Sequence, residues 1–131
     1  MKYLGIDFGS KRIGLAVSDE TNSFALPLSV LDNSSNLIEE LVKICKENNI
    51  GEIVVGESLD FSQKENEIMK EINIFVKKLE NSLNLPIHTH PEFMTSQEAE
   101  RLQGKNNMLD ASAAAIILKS YLDLKSNNSK N

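Results

Sequence analysis

The strongest constraint on this chain lies in its first nineteen residues, MKYLGIDFGSKRIGLAVSD. Two β-rich runs, Tyr3–Phe8 and Ile13–Ser18, flank a short Gly9-Ser10-Lys11 connection. That pattern predicts an antiparallel hairpin. Asp7 stands between Ile6 and Phe8 near the end of the first strand. Side chains alternate faces along a strand, so Asp7 shares a face with Gly5 and not with Ile6. Gly5 and Gly9 carry no side chain, so a backbone or a phosphate can come close to Asp7. A carboxylate at the end of a central strand must be paired, protonated or bound to a cation. A strand-end Asp that caps a turn fits the same pattern, and so short a motif does not choose between the two.

Composition narrows the classes. The chain has 131 residues, 40% hydrophobic and 25% charged, which suits one globular domain with its own core. Trp is absent and aromatic residues make up 5%, so the core must be aliphatic. A net charge of −5 with no basic run argues against a broad electrostatic nucleic-acid surface and leaves room for a small one. The lone Cys45 falls in a helix-like apolar pattern and reads as a buried thiol. It allows no intrachain disulfide and no Cys-rich zinc site. No apolar run is long enough to span a membrane, and a strand begins at once, leaving no room for a signal peptide. The expectation is a cytoplasmic protein with no membrane partner.

Further along, Phe24–Leu31 reads as a third strand, with Pro27 marking an edge position or a bulge. Asp19 closes the second strand and begins a turn. Three linked strands make an antiparallel meander. Asp32 to Asn36 supplies turn and N-cap residues. Leu37, Ile38, Leu41, Val42 and Cys45 repeat at helical spacing, and Asn48-Asn49 ends that helix. Glu52–Val55 is a short strand for burial on both faces, stopped by Gly56. Gln63–Leu83 is an amphipathic helix with Ile68, Ile72, Phe75, Val76, Leu79 and Leu83 inward. Pro86–His90 is a fifth strand ending at Pro91-Glu92. Thr95-Ser96-Gln97-Glu98 matches a capping box, opening a helix that Gly104 stops. Leu109–Leu124 is a last, Ala-rich helix, and Ser126–Asn131 a frayed polar tail. No repeat or second domain is visible: residues 1–125 form one domain and 126–131 its tail.

A meander followed by crossovers predicts an α/β fold, a mixed five-stranded sheet flanked by helices. In such sheets, sites lie beyond the carboxyl ends of strands. Asp7 ends strand one, Glu92 lies just past strand five, and Asp110 occupies the first turn of the last helix. Counting four and seven from Asp110 gives Ala114 and Ile117, on the same stripe as Leu118 and Tyr121. Asp110 then faces the sheet. A helix-start Asp is also explained by the macrodipole, although its facing is not. Three converging carboxylates repel one another unless Mg²⁺ or Mn²⁺ ions, which prefer oxygen ligands, bind between them. Two such ions about 4 Å apart can promote phosphodiester hydrolysis. Lys11 and Arg12 can hold a phosphate, Ser10 can donate to one and Gly9 lets it approach; ordinary turn solvation explains the same residues. His88 and His90 share a strand face, a spacing open to a transition metal, with no third ligand in sight.

Three segments carry a family resemblance. They are Gly5-Ile6-Asp7-Phe8-Gly9-Ser10-Lys11-Arg12-Ile13-Gly14 with Ala16-Val17-Ser18-Asp19, Thr95 through Arg101, and Leu109-Asp110-Ala111-Ser112-Ala113-Ala114-Ala115 onward to Asp123. Together they resemble the bacterial YqgF family, known also for Holliday junction resolution, within the RNase H-like fold. The resemblance implies a single RNase H-like nuclease domain over residues 1–125. It implies a hydrolase using Mg²⁺ or Mn²⁺ at Asp7, Glu92 and Asp110, acting in 5′-end maturation of 16S ribosomal RNA precursors or on branched DNA. It favours Arg12 over Lys11 as a functional residue.

The chain departs from the family where Pro91-Glu92-Phe93 replaces Asp-Glu-Arg, and where Glu57-Ser58-Leu59 follows Gly56. The loop before the last helix keeps only Lys105. Fewer basic side chains imply fewer phosphate contacts and RNA binding that is weak and mildly salt-dependent. Glu57 is a candidate replacement carboxylate. Alternative readings are a catalytically degenerate nucleic-acid or protein binding module, and an actin-like phosphotransferase, which needs two such domains. A monomer and a homodimer are both compatible with the sequence.

Overall fold

The computed structural model describes residues 1–9, 11–59, 67–93 and 108–129. Strands β1 (Lys2–Phe8) and β2 (Arg12–Ser18) form the expected hairpin, with Asp7 opposite Gly14 and Phe8 opposite Ile13. Strand β3 (Ala25–Asp32) adds antiparallel to β2 and completes the meander. The β2–β3 turn is built on Asp19. Its carboxylate accepts hydrogen bonds from Thr21 Oγ1 at 2.6 Å and from the backbone N–H groups of Ser23 and Phe24 at 2.9 and 3.0 Å. Those donors, Thr21 foremost, hold the Asp19 carboxyl below its usual range. Asn22 takes the left-handed conformation there, φ 57°, which Asn tolerates better than most residues.

Helix α1 (Leu37–Glu47) leads to β4 (Ile50–Leu59), which lies parallel to β1. Helix α2 (Glu67–Ser82) leads to β5 (Ile87–Phe93), parallel to β4. Helix α3 (Met108–Ser129) closes the described chain. The sheet order is β3-β2-β1-β4-β5, the predicted mixed five-stranded sheet. β3 is an edge strand, and its Pro27 pairs with Ala16 where the register shifts. Pro27 therefore meets both readings, edge and bulge.

Helices α1 and α2 cover one face of the sheet, against Leu4, Ile6, Leu15, Ile53 and Val55. Helix α3 covers the other, its Ala114, Ile117, Leu118 and Leu122 packing on Tyr3, Ala16 and Val54. On α2, Ile72, Phe75 and Leu79 are buried as predicted; Met69 joins them. Each fully buried Leu, Leu41 and Leu79 among them, contributes about 1.5–3 kcal/mol. Cys45 is buried on the inner side of α1, and burial pushes its thiol up to about 11. Among the described residues, no helix is long and apolar enough to cross a membrane.

Three boundaries differ from expectation. β4 does not stop at Gly56 but runs on to Leu59, because β5 offers ladder partners from His90 to Phe93. Gly56 marks a close approach: a Cβ there would lie 2.6 Å from Ile117 Cδ1. β5 continues through Pro91, which an edge strand accommodates, so Glu92 lies within β5 and not past it. α3 extends beyond Leu124 to Ser129, and Ser126 to Ser129 are helical where a frayed tail was expected. Lys125, bonded to Tyr3 and paired with Glu52, ties that last part of α3 to the sheet. The helix predicted near Thr95, the loop at Lys105 and residues 63–66 of the α2 prediction lie outside the described residues.

Candidate functional site

Asp7 is half-buried near the carboxyl end of β1, on the α3 face that it shares with Tyr3 and Gly5. Glycines surround it. Gly5 precedes it on the same face, and Gly14 pairs with it from β2. On β4, Gly56 follows the Val55 that pairs with Ile6. Directly across from Asp7, both neighbouring strands thus present glycine.

The register relates the other two acids to it through the backbone. Ile6 is level with Val55, and Val55 with Thr89. Asp7 is thus level with His90, two strands away, and Glu92 lies two residues further along β5, opposite Ser58. Helix α3 runs antiparallel to β1: Ala114 and Leu118 lie over Gly5, whereas Tyr121 and Lys125 reach Tyr3. Asp110, one turn before Ala114 and in the first turn of α3, therefore falls at the Asp7 end of the sheet. The backbone brings all three predicted acids to one end of the fold. Among the described residues no three His, Cys, Asp or Glu side chains cluster, so a metal site here requires Glu92 and Asp110 as well as Asp7. Carboxylates at these three positions would be the hard oxygen ligands that a divalent cation such as Mg²⁺ or Mn²⁺ prefers.

The turn after β1 sits beside Asp7. Lys11 and Arg12 are exposed, at the entry to β2. The Gly9 carbonyl accepts a hydrogen bond from Asn33 Nδ2 at 2.9 Å, and Asn33 N–H donates to the Lys11 carbonyl at 2.9 Å. Ser10 lies outside the described residues. The clasp by Asn33, absent from the sequence-based reading, joins segments 24 residues apart. Its only signal in the sequence is an Asn in a turn cluster.

Glu57, the candidate replacement acid, is half-buried near the end of β4, opposite Pro91. Its charge acts on His90. Burial lowers the His90 pKa, and Glu57 partly opposes that shift. His90 Nε2 lies 2.9 Å from Ser120 Oγ of α3. His88 and His90 do share a face, and both rings contact Tyr121. They are not brought together as ligands. His88 belongs instead to a cluster at the opposite end of the sheet from Asp7. There His88 Nε2 lies 3.7 Å from Glu52 Oε2, Lys125 Nζ lies 3.6 Å from the same oxygen, and Lys125 donates to Tyr3 OH. The Tyr3 bond holds the Lys125 ammonium above its usual pKa, while burial raises that of the Tyr3 phenol.

Comparison with known proteins gives this geometry a lineage. The model of the RuvX family, described as Holliday junction resolvase, matches residues 1–124. A protein of Maridesulfovibrio salexigens named "Putative pre-16S rRNA nuclease" is 36% identical over 134 residues, covering 93% of this chain and 98% of its own. One of the same name from Dictyoglomus turgidum is 36% identical over 140 residues, covering 99% of each. In three dimensions the chain is similar to Thermus thermophilus RuvC, solved with a Holliday junction substrate, with a TM-score of 0.61 over 96% of both chains. At 14% identity, that likeness shows a common RNase H-like fold. The matched span contains both the Asp7 hairpin and the α3 segment that carry the YqgF resemblance, and on this footing the chain belongs to the RuvX (YqgF) family of nucleases.

Proposed function

We propose that this protein is a divalent-metal-dependent nuclease that hydrolyses phosphodiester bonds in the 5′-end maturation of 16S ribosomal RNA precursors. What supports the reading is the backbone register, which puts the positions of Asp7, Glu92 and Asp110 at the same end of the sheet, with Gly14 paired to Asp7. The names of the curated relatives supply the substrate.

In this reading Asp7, Glu92 and Asp110 hold Mg²⁺ or Mn²⁺. When bound, such an ion supplies Lewis-acid polarisation of the phosphate and eases loss of the leaving oxygen. Asp7 presents its oxygens from a central strand, so their position is fixed by the sheet. Glu92 and Asp110 complete the set from an edge strand and a helix start. Arg12 and Lys11 meet the phosphate oxygens of the substrate, Ser10 donates to them, and Gly9 lets the substrate backbone approach. Glu57 stands near the end of β4 as a further acid at the rim. The family description favours a second substrate, a four-way DNA junction.

Asp7→Asn tests the reading, because it keeps the shape and removes the charge. Cleavage of a 5′-extended 16S precursor should fall at least about a hundredfold, as expected for losing several kcal/mol of metal-assisted catalysis. Mn²⁺ should raise the melting temperature of the natural protein and not that of the variant. A variant that melts early yet cleaves normally would make Asp7 a structural cap and end the catalytic assignment. If the natural protein cleaves neither the precursor nor a four-way junction and ignores Mn²⁺, the chain is a binding module of this fold.

A further inference from the structure

We propose that the groove between α1 and α2 receives a base of the single nucleic-acid strand whose phosphate is cut at Asp7. The proposal rests on the nuclease reading for that phosphate, and places a substrate contact on the opposite face of the sheet. The groove measures about 340 Å³, in the size range of small-ligand pockets. Phe8 lines it, one residue past Asp7 and on the other face of the same strand end. The groove and the cleavage site are thus separated by the end of β1 alone.

The two are also tied together. Asn33 lines the groove and bonds through its side chain to Gly9 and through its backbone to Lys11. A strand held by Lys11 and Arg12 meets this groove as it leaves the turn. The lining suits a base. Phe8 and Phe75 form its floor as a tilted ring pair, centroids 4.9 Å apart. Ile74 forms a wall and is 57% exposed, an apolar side chain in water on the outer face of α2. A flat base laid against it would remove that surface from water, and such contacts tolerate any base identity. Lys78 lies one turn along α2 from Ile74, placed for the adjoining phosphate, and the Ser35 hydroxyl can meet a base edge. Glu71 lines the same groove about two turns closer to the start of α2 than Lys78, and its charge favours a phosphate on the Lys78 side. A chain of net charge −5 has little electrostatic pull on RNA, so base contacts must supply much of the affinity.

The test is binding of a fluorescein-labelled twelve-nucleotide single-stranded RNA, followed by anisotropy without divalent ions, so that no turnover is needed. Ile74→Glu and Lys78→Glu are compared with Ile116→Glu, an exposed apolar position on α3 across the sheet. The two groove variants should bind about tenfold more weakly, in line with losing one stacked base, while Ile116→Glu binds like the natural protein. Both groove side chains are exposed, and thermal melting confirms that the variants fold. Groove variants that bind as tightly as the natural protein, or a loss equal to that of Ile116→Glu, would overturn the proposal even if Asp7-dependent cleavage is observed. If cleavage is absent but the groove variants still weaken binding, the groove stands and the nuclease reading falls.

Discussion

Gly5 of β1 lies directly beneath Leu118 of α3: a Cβ on Gly5 would come 2.7 Å from Leu118 Cβ and 3.0 Å from the Ala114 carbonyl oxygen. The close approach that the glycine was read to permit is thus made by the helix that carries Asp110. Gly5→Ala forces α3 off the sheet. The cost should be about 1–3 kcal/mol, the usual range for overpacking, seen as a melting point several degrees lower. Cleavage assayed well below that temperature should fall further than the folded fraction does, because Asp110 is one turn from the displaced Ala114. A Gly5→Ala protein that melts and cleaves like the natural one would show that α3 does not position the site.

Ser18 is almost wholly buried, and its hydroxyl is used twice. It accepts the Tyr3 backbone N–H at 2.8 Å and donates to Asn22 Oδ1 at 2.7 Å. Ser18→Ala leaves a buried N–H at the start of β1 without an acceptor, at a cost of roughly 1–3 kcal/mol. Urea unfolding should show a lower midpoint with an unchanged slope. An unchanged midpoint would mean that water replaces the hydroxyl.

His90 should make stability depend on pH. Burial lowers its pKa from the ordinary 6.5, so the folded state holds the neutral ring more firmly than the unfolded chain does. Below about 6.5 the unfolded chain takes up the proton first. The contribution is therefore complete above that pH and is lost as pH falls through the lower, folded value. His90→Gln should flatten the stability curve below about pH 6.5, with Glu57 limiting the size of the change. Parallel curves for the two proteins would rule His90 out as the source of any acid sensitivity.

Much of the fold was legible in order along the chain. Alternating strands, the helical repeat from Leu37 to Cys45, and Pro27 as an edge marker are local signals, and local sterics enforce them. The face of Asp7 follows from strand alternation, and the inward stripe of α3 follows from helical spacing. The misread boundaries share one cause. Gly56, Pro91 and the polar end of α3 are terminators by propensity, and in each case a tertiary partner overrode that propensity. Ladder pairing carried β4 past Gly56, an edge position tolerated Pro91, and Tyr3 with Glu52 held Lys125.

The sequence by itself determined the hairpin, the order of the described elements and the family. Each is a property of neighbouring residues or of a short motif, which needs no knowledge of distant contacts. Only the tertiary structure decided that Asn33 clasps the Gly9 turn, that Lys125 meets Tyr3 from 122 positions away, and that α1 and α2 leave a groove beside Phe8. Such contacts depend on sheet order and register, which arise when the whole core packs and many weak non-local terms are satisfied together.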